Sequence, residues 1–326
     1  MLRIALVGCG KHMRTTLIPH LAQLEGFEVE VCVDRDEVAA QTVQHSSRAK
    51  SWTTQIEDVD ISSIDAAIIA LPANANYQVS SYLVNQGIAC FVEKPPASTT
   101  DEIISLLQLA SAMEVNVQVG FNFRFAEAIM AFYSHVAKYS NGPCTTTFEF
   151  RSKHPSGPEW GIEDPVAAWL YHNGIHALDL LLWIVGDAQH VNAYIIRTPE
   201  KKFTIVAMIE HRNNSVSTVN LGTLTDQFEL RADLYTSDAH RFYLPNLGEA
   251  VMLTRNGKVA GDVLYRTSNL DNGWGRAGYG RELKHFLDNH GKYKNSSPSL
   301  LDALKASQLC DAIMYSLKTG TIFTLD

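Results

Sequence analysis

Clustered cysteines are missing from this chain of 326 residues. Its five cysteines, at positions 9, 32, 90, 144 and 310, are scattered and form no CxxC pair. That argues against a disulfide framework and reads as reduced thiols. No apolar run is long enough to span a bilayer. No secretory leader is expected either: Met1-Leu-Arg-Ile-Ala-Leu-Val7 enters a strand pattern at once, without a charged n-region, long apolar core or cleavage site. A cytoplasmic protein with no membrane partner is therefore expected. Basic charge is in short supply. The 27 Lys and Arg against 35 Asp and Glu leave a net charge of -8, which argues against nucleic acid as the main partner. Repeats and low-complexity segments are absent.

What remains is a soluble globular composition, 46% hydrophobic and 19% charged, able to bury a large core. The length suggests two domains of about 150 residues each. Leu2 to Val7 reads as a buried parallel strand, followed at once by Gly8-Cys-Gly10 and a helical pattern from about Met13 to Leu24. Strand, glycine-rich turn and helix in that order are the context a dinucleotide fingerprint needs. Gly8 permits a tight turn, and Gly10 lets backbone approach a pyrophosphate at the helix N-terminus. Met13 occupies the third fingerprint position in place of Gly or Ala, which should push the helix off the strand.

A second strand, Glu28 to Val33, ends in Asp34, 24 residues after Gly10. That is close to the spacing of about 20 for the acid that binds the adenosine ribose, so NAD is expected over NADP. Arg35 beside it partly offsets that preference and keeps NADP open. Further strands over 66–71, 88–92 and 115–119 alternate with helices over 77–86 and 101–113, which implies a doubly wound parallel sheet. Thr99 or Thr100 is available to cap the helix at 101. The strand over 88–92 runs into Glu93-Lys94-Pro95-Pro96, where prolines stop it. Residues beyond the carboxyl end of a parallel strand are where such sheets bind ligands. A lysine there can hold an anion or give a proton to a reacting oxygen; the plain alternative is a solvated surface turn.

These residues resemble the Gfo/Idh/MocA family. The resemblance rests on Gly8-Cys-Gly10, Asp34, Glu93-Lys94-Pro95, Gly120-Phe-Asn122-Phe-Arg124, Gly174-Ile-His176-Ala-Leu-Asp179, Tyr279-Gly-Arg-Glu282 and the closing helix near 302–316. It implies an N-terminal Rossmann domain (1–122) that binds dinucleotide. It also implies a C-terminal α+β domain (123–326) with a large, open, mainly antiparallel sheet for substrate binding and oligomerisation. The implied activity is NAD(P)-dependent hydride transfer to or from a sugar, polyol or sugar derivative. Alternatives within the same fold are an NAD-dependent glycoside-cleaving enzyme and a non-catalytic nucleotide-binding regulator. By the resemblance, Lys94 and His176 are the catalytic candidates, with His172 assisting. The candidate cofactor set is Gly8, Gly10, Lys11, His12, Met13, Asp34, Arg35, Leu71, Pro72, Asn74, Glu93, Lys94 and Asn122.

Beyond Arg124 a helix is expected to about Lys138, then a strand over 145–151. Residues 153–171 read as an irregular loop, punctuated by Gly157, Pro158, Gly161 and Pro165, that could wall a substrate site. Trp160 and Trp169 in it, with Arg124, Asp179 and Tyr279, are the candidate substrate residues. An apolar helix over 174–185 carries His172, His176 and Asp179 at i, i+4 and i+7, along one α-helical face. They read as hydrogen-bonded core groups, as a metal site, or as proton-transfer residues; beside a nucleotide site and Lys94 the last is favoured, and no metal is expected. Relatives often carry Asp at position 172 and His at position 76, where this chain has His172 and Asn76. Repeated strand patterns follow: 190–197, 203–211, 215–223, 228–236 and 241–244. Consecutive strands imply an antiparallel sheet with one packed face and one that needs a partner, so a homodimer or homotetramer through it is expected. Helices over 281–289 and 299–318 close the chain.

Overall fold

The computed structural model describes residues 1–153, 161–268, 276–293 and 297–325. The chain divides into two compact units, Met1–Asn122 with Gly278–Leu304, and Phe123–Ala277 with Lys305–Asp326.

The first unit is built on a six-stranded sheet of β1 (Leu2–Val7), β2 (Phe27–Val33), β3 (Ser51–Thr53), β4 (Ala66–Ile69), β5 (Ala89–Glu93) and β6 (Val117–Gly120). Its spatial order is β3-β2-β1-β4-β5-β6, every pair parallel. The order reverses between β1 and β4, the switch point at which open α/β sheets bind dinucleotides. The fully buried pattern of β4 and β5 follows from helices covering both faces. The helices are α1 (a π turn over Met13–Leu17, then Ile18–Leu21), α2 (Glu37–Ser47), α3 (Ala73–Asn85) and α4 (Thr100–Met113). Thr99 caps α4 in a reciprocal capping box with Glu102. Met13 is fully buried in the core, and the wider π turn that starts there accommodates its side chain.

A division into 1–122 and 123–326 leaves out one return of the chain. Tyr279–Asn289, helix α8 here, presents Leu283 and Phe286 to the first unit's core, where both are fully buried with Ile4, Leu6 and Phe91. The Phe91 and Phe286 rings lie 5.9 Å apart. Gln118 on β6 holds the same helix, its Nε2 donating to the Glu282 carbonyl at 3.2 Å and its Oε1 2.9 Å from His285 Nδ1.

The second unit is built on a nine-stranded sheet. Its strands are β7 (Cys144–Arg151), β8 (Ala188–Arg197), β9 (Phe203–His211), β10 (Val216–Gly222), β11 (Glu229–Thr236), β12 (Arg241–Asn246), β13 (Glu249–Arg255), β14 (Lys258–Arg266) and β15 (Phe323–Thr324). All neighbours are antiparallel except β7 and β10. Alternate residues such as Ile205, Ala207, Ile209, Phe148, Phe150, Leu230, Leu234 and Phe242 are buried on one face, against which α5 (Glu127–Tyr139) and α7 (Ile175–Val185) pack. The sequence pattern misses the β13–β14 hairpin. Its Asn256-Gly257 turn has both residues at positive φ, the requirement of a tight hairpin turn, but the polar, exposed β14 lacks a clear apolar alternation. The expected loop over 153–171 contains a short helix, α6 (Pro165–Trp169). Asp164 caps it by accepting from the Val166 and Ala167 N–H groups, and Pro165 stands where a first-turn proline starts a helix rather than breaking one. The last helix, α9 (Leu300–Thr319), precedes β15.

Candidate functional site

The glycine turn after β1 is held from below. Gly8 has φ 86°, and its N–H donates to the Val33 carbonyl at 2.9 Å. A Cβ at Gly8 would lie 2.4 Å from the Ala70 carbonyl oxygen, so only glycine fits where β1, β2 and β4 converge. At Gly10 a Cβ would meet nothing within 4 Å: the space above it is open, as a cradle for an approaching phosphate must be. Asp34, half-buried at the tip of β2, accepts from the Cys9 N–H at 2.7 Å and from the Asp36 N–H at 2.9 Å. One carboxylate thus ties the glycine turn to the start of α2. Lys11 and Arg35 are exposed beside these turns, and Pro72 and Asn74 are exposed where α3 begins.

The second turn, Glu93-Lys94-Pro95, leaves the carboxyl end of β5 with a cis Lys94–Pro95 peptide. Asn76, fully buried on α3, is bonded through each part of its amide. Its Oδ1 accepts from the Leu71 N–H at 3.0 Å, and its Nδ2 donates to the Glu93 carbonyl at 3.0 Å and the Pro95 carbonyl at 3.1 Å. The Glu93 side chain turns the other way. Its Oε1 lies 2.9 Å from His12 Nε2, beside the glycine turn, while its Oε2 occupies space that a Cβ at Gly120 would invade at 2.9 Å. Glu93 thereby connects the nucleotide-type turn to the lysine turn. The Tyr279 ring, partly buried against the first unit's core, sits 5.7 Å from the His12 ring and 5.8 Å from the His20 ring. Burial, and then the negative charges of Glu93 and Glu282, push the Tyr279 hydroxyl well above its ordinary pKa, so it stays protonated. Tyr279 is therefore a neighbour of the Glu93–His12 pair within the first unit.

In the second unit, Arg124 and Asp179 are given to each other. The guanidinium donates from Nε at 2.8 Å and from a terminal nitrogen at 2.6 Å, with side-chain exposures of 5% and 1%. The Arg124 guanidinium carbon also lies 5.4 Å from the centre of the Trp183 ring, which stacks on Tyr133 at 3.8 Å. The pair fixes α7 to the turn Asn122–Phe125, and Phe123 of that turn meets the His176 ring edge-on at 5.0 Å. His176, buried to 6% exposure, is thus held by its own helix and by Phe123. His172 lies in a π turn, Leu170–Gly174, and its Nδ1 is 3.3 Å from Asn173 Oδ1. Trp169 is fully buried, its indole N–H donates to the Ser152 carbonyl at 3.1 Å, and its ring packs on Phe150 and Phe203. It is a core side chain, because the helix α6 turns it into the sheet. Trp160 lies outside the described residues. Asn122 is buried at the end of the first unit. Among the described residues no group of three or more His, Cys, Asp or Glu could hold a metal ion.

Residues 2–121 match the oxidoreductase family with an NAD-binding Rossmann fold, and residues 145–325 match that family's C-terminal alpha/beta domain. The chain belongs to the Gfo/Idh/MocA oxidoreductase family. Rhizopine catabolism protein MocA of Rhizobium meliloti is 22% identical over 57% of this chain and 57% of its own length. Inositol 2-dehydrogenase of Corynebacterium glutamicum (strain R) is 21% identical over 57% of this chain and 55% of its own. The chain thus spans little more than half the length of these curated relatives. Levoglucosan dehydrogenase in complex with NADH has the same fold, with a TM-score of 0.86, 16% identity, and coverage of 100% of this chain and 99% of that one. The departures from the Gfo/Idh/MocA pattern are absorbed differently: Met13 by the π turn, and Asn76 by the three hydrogen bonds above. Asn76 stands out in the sequence only as a departure, because its bonds reach residues 17 and 19 positions away.

Proposed function

We propose that the protein is an NAD-dependent oxidoreductase that moves a hydride between the nicotinamide and a carbon bearing a hydroxyl or carbonyl group on a sugar, polyol or sugar derivative. One observation carries the reading: a nucleotide-type turn and a lysine-bearing turn stand at the carboxyl ends of strands in the same parallel sheet and are connected by Glu93 and His12. The open space over Gly10 and the Asp34 carboxylate fit a dinucleotide with free ribose hydroxyls, which favours NAD over NADP. Bound NAD would supply the hydride acceptor. Lys94 is assigned the role of stabilising a developing alkoxide, and within the second unit His176, with His172 assisting, is assigned proton transfer. Inositol and levoglucosan dehydrogenases among the relatives support the substrate class.

The deciding experiment is a panel of sugars and polyols, offered with NAD and with NADP and followed by absorbance of the reduced nicotinamide. Turnover with at least one member, faster with NAD, is expected. A nucleotide-bound protein that turns over no member of the panel would overturn the reading.

The same reading takes the protein to be a homo-oligomer joined through the outer face of the nine-stranded sheet. That face exposes Tyr194, Ile196, Met208 and Tyr235, apolar groups that a second copy would cover. Light scattering is expected to give at least a dimer, and Ile196→Lys with Met208→Lys should shift it toward monomer. A wild-type monomer at working concentration would remove this part. Among the described residues no helix is long and apolar enough to cross a membrane, and a cytoplasmic setting is part of the proposal.

A further inference from the structure

We propose that Asn76 is a positioning residue for Lys94, acting by clamping the backbone of the Glu93-Lys94-Pro95 turn from both sides. The inference rests on the reading of Lys94 as the group that meets the substrate oxygen. A lysine side chain is long and flexible, so its amine can be held in a reactive place only if its own Cα is held first. The two carbonyls that Asn76 binds belong to Glu93 and Pro95, the residues immediately before and after Lys94. The third bond, from the Leu71 N–H, ties the same amide to the chain just beyond β4. The clamp thus fastens the lysine turn to the end of a second parallel strand.

The bonding also fixes the identity of the residue. One acceptor faces an N–H and two donors face carbonyls, so only one orientation of the amide satisfies all three. An aspartate would keep the acceptor and turn a second oxygen toward two carbonyl oxygens. A leucine of similar volume would leave three buried backbone groups without partners. Asn76 is fully buried, and its own carbonyl accepts from the Ser80 hydroxyl at 2.6 Å, so its helix position is anchored independently of the turn. It has no exposed atom with which to reach a ligand directly. Its effect on the reaction therefore passes through the lysine turn.

The test uses Asn76→Ala, Asn76→His, Lys94→Ala and the Asn76→Ala/Lys94→Ala double variant, with a substrate from the polyol panel. Asn76→Ala is expected to lower kcat by about 10–100-fold, the usual cost of a misplaced reactive group. KM and NADH binding, read by nicotinamide fluorescence, should change by less than about threefold. In the Lys94→Ala background the same substitution should cost nothing further, because the group it positions is gone. Asn76→His retains a ring N–H donor and should recover part of kcat. A purely structural role would instead lower kcat in both backgrounds and weaken NADH binding. Either that pattern, or an unchanged kcat in Asn76→Ala alongside an inactive Lys94→Ala, would overturn the inference.

A second measurement needs no substrate. Acetic anhydride labelling of Lys94, quantified by peptide mass spectrometry with NADH present, should change in rate at least about threefold between wild type and Asn76→Ala, while distant lysines do not change. An unchanged rate refutes the clamp. A fully active Lys94→Ala refutes the functional reading of Lys94 instead, and the labelling still decides whether Asn76 holds the turn.

Discussion

Lys94→Ala is expected to reduce turnover by about 10²–10⁴-fold with any substrate of the panel, the range over which a positioned acid–base group contributes. NADH affinity should stay within about threefold of wild type. The separation follows from how the turn is built. Its backbone is held by Asn76 through the Glu93 and Pro95 carbonyls, and the Glu93 side chain is held by His12. None of these bonds uses the Lys94 side chain, so each of them can persist when it is truncated. The groups expected to hold the cofactor, the Gly8–Gly10 turn and Asp34, are tied to each other through the Cys9 N–H. A loss in kcat with preserved NADH binding is therefore the signature of a group that acts on the reacting oxygen. Stopped-flow absorbance at saturating cofactor, beside a fluorescence titration with NADH, reads both quantities. Full turnover in Lys94→Ala would sink the assignment, and a parallel collapse of NADH binding would make the lysine a cofactor residue instead.

Asp179→Ala is expected to destabilise the protein by about 3–5 kcal/mol, because it removes the carboxylate that takes two hydrogen bonds from the buried Arg124 guanidinium. The two side chains are 5% and 1% exposed and joined by two short hydrogen bonds, so water cannot replace the missing partner. Arg124 also faces the Trp183 ring, and that attraction is too weak, at about 2 kcal/mol, to compensate. Replacing both residues together, as Arg124→Met with Asp179→Leu, should recover much of the loss, since both members of the buried pair are then exchanged for apolar side chains. Denaturant unfolding followed by tryptophan fluorescence would measure both variants. A direct role of Asp179 in holding substrate would show a different pattern, with KM raised and stability intact. Unchanged stability in Asp179→Ala would remove the structural role.

Most of the first unit could be read residue by residue. β1, β2, β4, β5 and β6 and the helices α1, α3 and α4 follow from apolar runs separated by turn residues, and Thr99 caps its helix by a local rule, whereas the short, partly exposed β3 and the helix α2 before it are not marked by such runs. Gly8, Gly10 and Asp34 stand where a dinucleotide pattern puts them, because that pattern describes a short contiguous turn and one strand end. The second unit is legible in class and mostly in its strands, but not in the β13–β14 hairpin: β14 lies exposed at the sheet edge and buries little, so it writes little periodicity into its residues. Trp169 read as a candidate wall because its neighbours include Gly and Pro, but one capped turn of helix directs it into the core.

By itself the sequence determined whatever depends on neighbours along the chain: the alternation of strand and helix, the glycine turn, the acid at the tip of β2 and the proline-stopped turn after β5. Only the tertiary structure decided which side chain meets which. Asn76 reaches Glu93 and Pro95, Arg124 takes Asp179, Glu93 turns to His12, and α8 comes back to bury Phe286 beside Phe91. The reason is physical. Local propensity and periodicity arise within a few residues, whereas a buried polar group must find its partner wherever the packed chain brings one, at a separation that no local pattern encodes.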